Sequence, residues 1–221
     1  MYKAILQWIL SIMVKVKAES IRVKAINLFK QHGGILRTSE AIIAGVHPRI
    51  LYELYKSGLI LQISRGLYIL ADLQDINEPD LITITKKIPN GVICLISALY
   101  FHHLTIQIPK WIDVAVPQSY KPPVLQNPPV HFHWFSNAFF NTGIEIHTFN
   151  GIKVSIYSAE KTIVDCFRLR KKISTDIALE ALKTYLTRKN PNLKLLRTLA
   201  QKSRILSILE PYIEALTHDQ S

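Results

Sequence analysis

The hydrophobic pattern changes period twice between residues 21 and 70. Ile21, Ala25, Leu28 and Phe29 recur at helical spacing while Lys24, Asn27 and Lys30 fall on other faces, which predicts an amphipathic helix. Gly33-Gly34 should stop it, because paired glycines accept positive φ and cost too much backbone entropy to extend a helix. After the short segment Ile35-Leu36-Arg37, Thr38 and Ser39 offer hydroxyl caps to a second helix running through Ala44, and Gly45 supplies a turn. His47-Pro48 opens a third helix, where proline's missing N–H costs nothing. Helical arithmetic directs Leu51, Leu54 and Tyr55 inward and leaves Arg49, Tyr52, Glu53 and Lys56 as the opposite stripe.

Period two then takes over. Leu59, Leu61 and Ile63 alternate with Ile60, Gln62 and Ser64, and Arg65-Gly66 turns the chain into Leu67-Tyr68-Ile69-Leu70. Three short helices followed by a hairpin describe a winged helix-turn-helix. A polar stripe alone is more often a solvated face than a contact surface. The adjoining hairpin shifts the balance toward DNA, with protein-binding winged helices as the other use of the module. Arginine pairs with guanine edges, glutamate accepts from cytosine, and lysine and tyrosine hold phosphates. Arg65, at the hairpin tip, is placed for a phosphate or the minor groove.

The pattern weakens at Asp72 to Asp80, a polar stretch containing Pro79, where a domain boundary is expected. Helices are predicted at Asp80 to Lys87 and Val92 to His102, broken by Pro89-Asn90-Gly91. Strands follow at Trp111 to Val116, His131 to Phe135, Ile144 to Phe149 and Lys153 to Tyr157, with Asn150-Gly151 as a hairpin turn. Pro117 to Pro129 reads as a surface loop or extended edge segment. From Ser158 the helical period returns: Ser158 caps, Glu160 suits the positive dipole end, and Ile163, Val164 and Phe167 form a buried stripe. Further helices are predicted at Asp176 to Arg188, Leu193 to Lys202 and Ile205 to Leu216, with Asn190-Pro191 as a break. The expected fold class is α+β: an N-terminal winged helix-turn-helix followed by a mixed α/β domain with C-terminal helices.

Charge sharpens this division. The 221 residues carry a formal net charge of +11 and are 48% hydrophobic, enough for two cores. Residues 1–75 hold ten Lys/Arg against five Asp/Glu, residues 76–160 five against five, and residues 161–204 twelve against three. Two basic regions therefore flank a neutral block, which favours a polyanionic partner. Two cysteines, Cys94 and Cys166, sit far apart in apolar helical patterns, as buried free thiols of a reducing cytosol would. Ala4 to Val14 is apolar and follows Lys3, faintly like a signal peptide. It is too short to span a bilayer and lacks a clear cleavage signature, so an amphipathic helix, or a start at Met13 rather than Met1, reads better. A cytoplasmic location without a membrane partner is expected.

Enzyme chemistry fails at its first requirements. A nucleotidyltransferase needs two carboxylates at alternate strand positions, yet Asp113 stands alone, with Ala115 where its partner should be. A restriction-type nuclease needs an acid followed by Glu-x-Lys, whereas Glu145 precedes Ile146-His147 and Glu160 adjoins Lys161 directly. A nuclease assembled from scattered residues, targeted by the winged helix, is the alternative reading. His131 and His133 share one side of a strand and His102-His103 end a helix. Without carboxylates or cysteines at ligand spacing, no metal or other cofactor is expected. The aromatics Trp134-Phe135 and Phe139-Phe140 are either core or an exposed partner surface, and core is the commoner outcome. Lys161 and Asp165 are an i, i+4 pair, read either as exposed helix solvation or as part of a functional patch.

Three runs carry a family resemblance. Ser64-Arg65-Gly66-Leu67-Tyr68 closes the winged helix, Ser97-Ala98-Leu99-Tyr100-Phe101-His102-His103-Leu104-Thr105 lies on a helix, and Ser158-Ala159-Glu160-Lys161-Thr162-Ile163-Val164-Asp165 opens another. In this order, over about residues 20 to 190, they resemble the AbiEi antitoxins of bacterial type IV toxin–antitoxin systems, which serve in abortive infection against phage. The apolar first dozen residues and the proline-rich loop depart from that pattern.

The resemblance implies a transcriptional autorepressor that binds double-stranded operator DNA, with inverted repeats, and opposes a nucleotidyltransferase toxin without itself being an enzyme. It assigns DNA contact to Arg49, Tyr52, Lys56 and Arg65, to which the helix stripe adds Glu53. A basic C-terminal face of Lys161, Arg168, Arg170, Lys171 and Lys172 would bind DNA or serve antitoxicity. The domains expected are an N-terminal extension or helix over 1–20, the winged helix-turn-helix over 21–75 and an α+β antitoxin domain over 76–221.

Overall fold

The computed structural model describes residues 19–73, 78–125 and 127–218, with Met13. The reading of Ala4 to Val14 lies outside these residues apart from Met13. The chain forms two compact units, Met1–Pro79 with Thr148–Ile152, and Asp80–His147 with Lys153–Ser221. Helices and sheets occur together, and the fold is α+β. No described helix is long and apolar enough to cross a membrane.

In the first unit, the described part of α1 spans residues 19–31 and buries Ala25 and Phe29 completely. Ile21, expected on the same stripe, is exposed. Gly33 and Gly34 take φ of +69° and +80°, as the stop signal requires. Ile35–Arg37 is a strand, β1, which pairs antiparallel with β3 (Leu67–Leu70). Helix α2 (Thr38–Ile43) is capped one residue earlier than Thr38 or Ser39: Arg37 is the cap, and its backbone N–H donates to Glu40 Oε2 at 2.8 Å. The Thr38 N–H is used elsewhere, donating to the Gly66 carbonyl at 2.9 Å. α3 (Pro48–Lys56) follows Gly45, whose φ is +83°.

β2 (Ile60–Ser64) completes a sheet of order β1-β3-β2. Ile60 is buried while Leu59 and Leu61 are exposed, and a bulge between Gln62 and Ser64 breaks the register. The core of this unit gathers Ala25, Phe29, Leu36, Ala41, Leu51, Leu54, Ile60 and Leu70.

The second unit holds a five-stranded sheet of order β6-β5-β4-β8-β7. α4 (Pro79–Lys87) leads to β4 (Val92–Ile93), a two-residue strand where helix was expected, and the helix proper, α5, runs only over Leu95–Phe101. β5 (Ile112–Pro117) pairs antiparallel with β4 and parallel with β6 (Val130–Phe135). α6 (Asn137–Phe140) precedes the β7–β8 hairpin, Ile144–Phe149 and Ile152–Tyr157. Asn150 and Gly151 turn it with φ of +49° and +77°, the two positive values a tight two-residue hairpin requires.

Helices α7 (Ala159–Arg168), α8 (Arg170–Ile173), α9 (Thr175–Leu186), α10 (Leu193–Lys202) and α11 (Leu206–His218) follow. They bury Ile163, Val164, Phe167, Leu182, Leu196 and Leu209 in one core with Cys94, Cys166 and Tyr157. Both thiols are free. Phe135 and Phe140 are buried in this core, whereas Trp134 is exposed, so the aromatic cluster divides between the two readings.

Candidate nucleic-acid interface

The third helix of the winged module is built to expose one face. His47 sits at its N-cap, and its Nδ1 accepts from the Arg49 N–H at 3.2 Å, satisfying one of the amides that a helix start leaves unpaired. Leu51 and Leu54 are buried as expected. Tyr55, expected inward, is exposed and packs edge-on with Tyr68, their ring centroids 6.2 Å apart. A tyrosine keeps its hydroxyl wet while its ring edge packs, so it satisfies both demands at a rim.

On the outer face the Arg49 side chain is 80% exposed, and Tyr52 and Lys56 are also exposed. The Lys56 ammonium lies 5.0 Å from the Tyr52 ring centroid. Glu53 is engaged already: Arg49 Nε stands 3.2 Å from its Oε1 and Arg22, on α1, 3.7 Å from its Oε2. It orients two arginines more readily than it reads a cytosine. Arg22 is a contributor that the linear sequence did not flag, because only the packing of α1 on α3 brings it there. Beside the start of α3 a groove of about 690 Å³ is lined by Lys24, Gln31, His47 and Arg49 among others. Arg65 occupies the exposed β2–β3 turn, a separate element, and takes no part in the contacts that join the α3 stripe.

The second basic region fares differently. Ser158 caps α7 as expected, its hydroxyl accepting from the Lys161 N–H at 3.2 Å. Lys161 itself is 1% exposed and Asp165 is fully buried. They form an ion pair inside the core, so Lys161 does not belong to a basic surface and the pair is not exposed helix solvation. Its ammonium also lies 4.6 Å from the Tyr157 ring centroid. Burial pushes the Lys161 ammonium below its ordinary range, and Asp165 opposes that shift. Arg168 makes a second bond to Asp165 at 3.3 Å and stacks over Phe139, 4.6 Å from the centroid. Arg170 donates to the Phe167 carbonyl at 3.0 Å. Lys171 and Lys172 alone of the five are exposed. The face that helical spacing suggested is therefore two surface lysines, two half-buried arginines and one core lysine.

The histidines divide as well. His102 is turned inward, its Nε2 2.7 Å from the Tyr157 carbonyl, and burial lowers its pKa. His131 and His133 have a carboxylate beside them after all: Asp113, on the adjoining strand. The expectation that no acid lay near them rested on linear spacing, and parallel strand pairing overturns that premise.

Residues 24–71 match the family model described as "Transcriptional regulator, AbiEi antitoxin". The match spans α1 through β3, the region holding Arg49, Tyr52, Glu53, Lys56 and Arg65. No curated protein matches the chain significantly.

Proposed function

We propose that this chain is the DNA-binding antitoxin and autorepressor of a bacterial type IV toxin–antitoxin operon, opposing a nucleotidyltransferase toxin in the cytoplasm by binding rather than by catalysis. The observation that carries the reading is the exposed α3 face, Arg49, Tyr52 and Lys56, within the segment that matches the AbiEi regulator model. Arg49 supplies base preference from the start of the helix, where a groove-docked helix first meets base edges. Tyr52 and Lys56 hold phosphates, and Arg65 reaches the backbone from the wing. Glu53 sets the rotamer of Arg49. The winged helix, residues 21–75, is the reader, and residues 76–221 form the antitoxin domain, with Lys171 and Lys172 as a further polyanion contact.

The test is a gel shift on the chain's own upstream DNA against a scrambled duplex, across a salt series. Preferential binding that weakens with salt supports autorepression through phosphate-anchored recognition. Equal, weak binding to both duplexes removes operator recognition. For the antitoxin half, co-expression with a nucleotidyltransferase encoded beside it should restore growth, and unrelieved toxicity would reject that half.

A further inference from the structure

Asp113 and the pair His131 and His133 come from neighbouring strands. β5 and β6 run parallel, with Asp113 opposite His131 and Ala115 opposite His133. Residues two apart share a strand face, so the register turns all three side chains to one spot. His133 Nε2 lies 2.8 Å and His131 Nδ1 3.6 Å from Asp113 Oδ1. One ligand atom from each residue falls within 4.8 Å of the others.

The carboxylate is held firmly. Asp113 is 3% exposed, accepts from Trp111 Nε1 at 3.2 Å, and its backbone N–H donates to Ser97 Oγ at 2.9 Å. All three residues line a cavity of about 620 Å³ together with Gln107, Trp134 and Lys172.

A plain aspartate–histidine hydrogen bond accounts for His133, whereas His131 packs edge-on against Trp111, with centroids 5.4 Å apart, and makes no such bond to Asp113. The His131 ring centroid is 4.5 Å from that of His133, and its Nδ1 stands 3.6 Å from the same oxygen. Two imidazoles beside one buried carboxylate are a donor set for a divalent transition cation. With bonds of about 2.0–2.1 Å, tetrahedral ligand atoms stand about 3.3 Å apart. The two histidine–carboxylate separations, 2.8 Å and 3.6 Å, lie on either side of that value, and with all three ligand atoms within 4.8 Å the set closes on an ion once the His133–Asp113 hydrogen bond opens and the side chains rotate. We propose that Asp113, His131 and His133 bind one divalent transition cation of the Zn²⁺ class, with the remaining coordination position open to the cavity. Trp111 is the outer hydrogen bond that orients the carboxylate. The site lies within the second unit and is independent of the DNA-binding reading.

The full chain, stripped with a chelator, is titrated with Co²⁺ while its visible d–d absorption is followed. The expected result is one saturating Co²⁺ per chain, displaced by Zn²⁺, with affinity weakened at least about tenfold by His131→Ala and by Asp113→Asn. His131→Ala is the decisive variant. Its side chain is 56% exposed, so its loss spares the fold and leaves the His133–Asp113 bond in place. His147→Ala, whose imidazole instead pairs with Glu145 at 3.2 Å, is the control that retains binding. Absence of a saturable Co²⁺ spectrum, or an affinity that His131→Ala leaves unchanged, overturns the proposal.

Discussion

Two helices of this chain carry an acid and a base four residues apart, and the two pairs live in opposite worlds. On α3, Arg49 and Glu53 meet at the surface, with the arginine side chain 80% exposed. On α7, Lys161 and Asp165 meet in the core, 1% and 0% exposed. Spacing on the helix is identical; what differs is the neighbour laid over that face. The Arg49 face of α3 is left open to solvent, whereas β-strands and helices close over α7 and bring Tyr157 and Phe135 to the Lys161 ammonium, 4.6 and 5.3 Å from their ring centroids. An i, i+4 ion pair is thus a statement about geometry along one helix, and its worth is set by the dielectric around it.

The largest expected effect lies in the core. Asp165→Ala leaves Lys161 buried without its partner and should cost roughly 3–5 kcal/mol in chemical denaturation. Replacing both residues by apolar ones of similar volume, Lys161→Met with Asp165→Leu, should recover most of that loss. A single variant as stable as the parent would break the comparison, because the buried charge would then need no compensation.

An intermediate effect is expected on recognition. Arg49→Ala should reduce the preference for operator over scrambled duplex by roughly 1–3 kcal/mol, whereas Lys171→Ala should weaken both duplexes alike and lower the salt slope by about one. Gel shifts on the two duplexes separate these outcomes, and an unchanged operator preference in the Arg49 variant rejects α3 as the reading helix. The smallest effect concerns the surface pair. A double-mutant cycle on Arg49 and Glu53 should give a coupling of about 0.5 kcal/mol or less in folding stability. A coupling of several kcal/mol would erase the distinction between the two helices.

Much of the winged helix was legible. The Gly33-Gly34 stop, the His47-Pro48 start and the inward Leu51 and Leu54 all follow from local chemistry and period. What escaped depends on partners distant in sequence. β1 and β4 are three and two residues long, too short for any period to register, and they are strands only because β3, β5 and β8 lie beside them. The bulge after Gln62 likewise cannot be read from alternation, nor can the choice of Ile60 over Leu59 and Leu61 as the buried position.

The outward polar stripe of α3 was legible because exposure is the default for a polar helix face. Even there, the tie between Arg22 and Glu53 required the packing of α1 on α3. Lys161 and Asp165 were misplaced for the complementary reason. A charged pair gives no local sign that a core will close over it. Asp113 looked solitary because its partners are strand neighbours rather than chain neighbours.

The brevity of β4 has a consequence for the order of assembly. Its two residues join the β5–β6 half of the sheet to the β8–β7 half, and the second junction pairs Ile93 with Ile156. That single parallel contact closes a loop whose ends are 63 positions apart (156 minus 93), and loop-closure entropy must be met before the contact stabilises anything. A chain emerging from the ribosome brings out α1 to β3 first, although the segment Thr148–Ile152 of the same unit follows only later. The sheet cannot be completed until residue 157 is out, and helices α7 to α11 emerge only afterwards. Most of the N-terminal unit is thus synthesised before the sheet of the second unit can close, an asymmetry in time that pulse-labelled proteolysis of stalled chains would resolve.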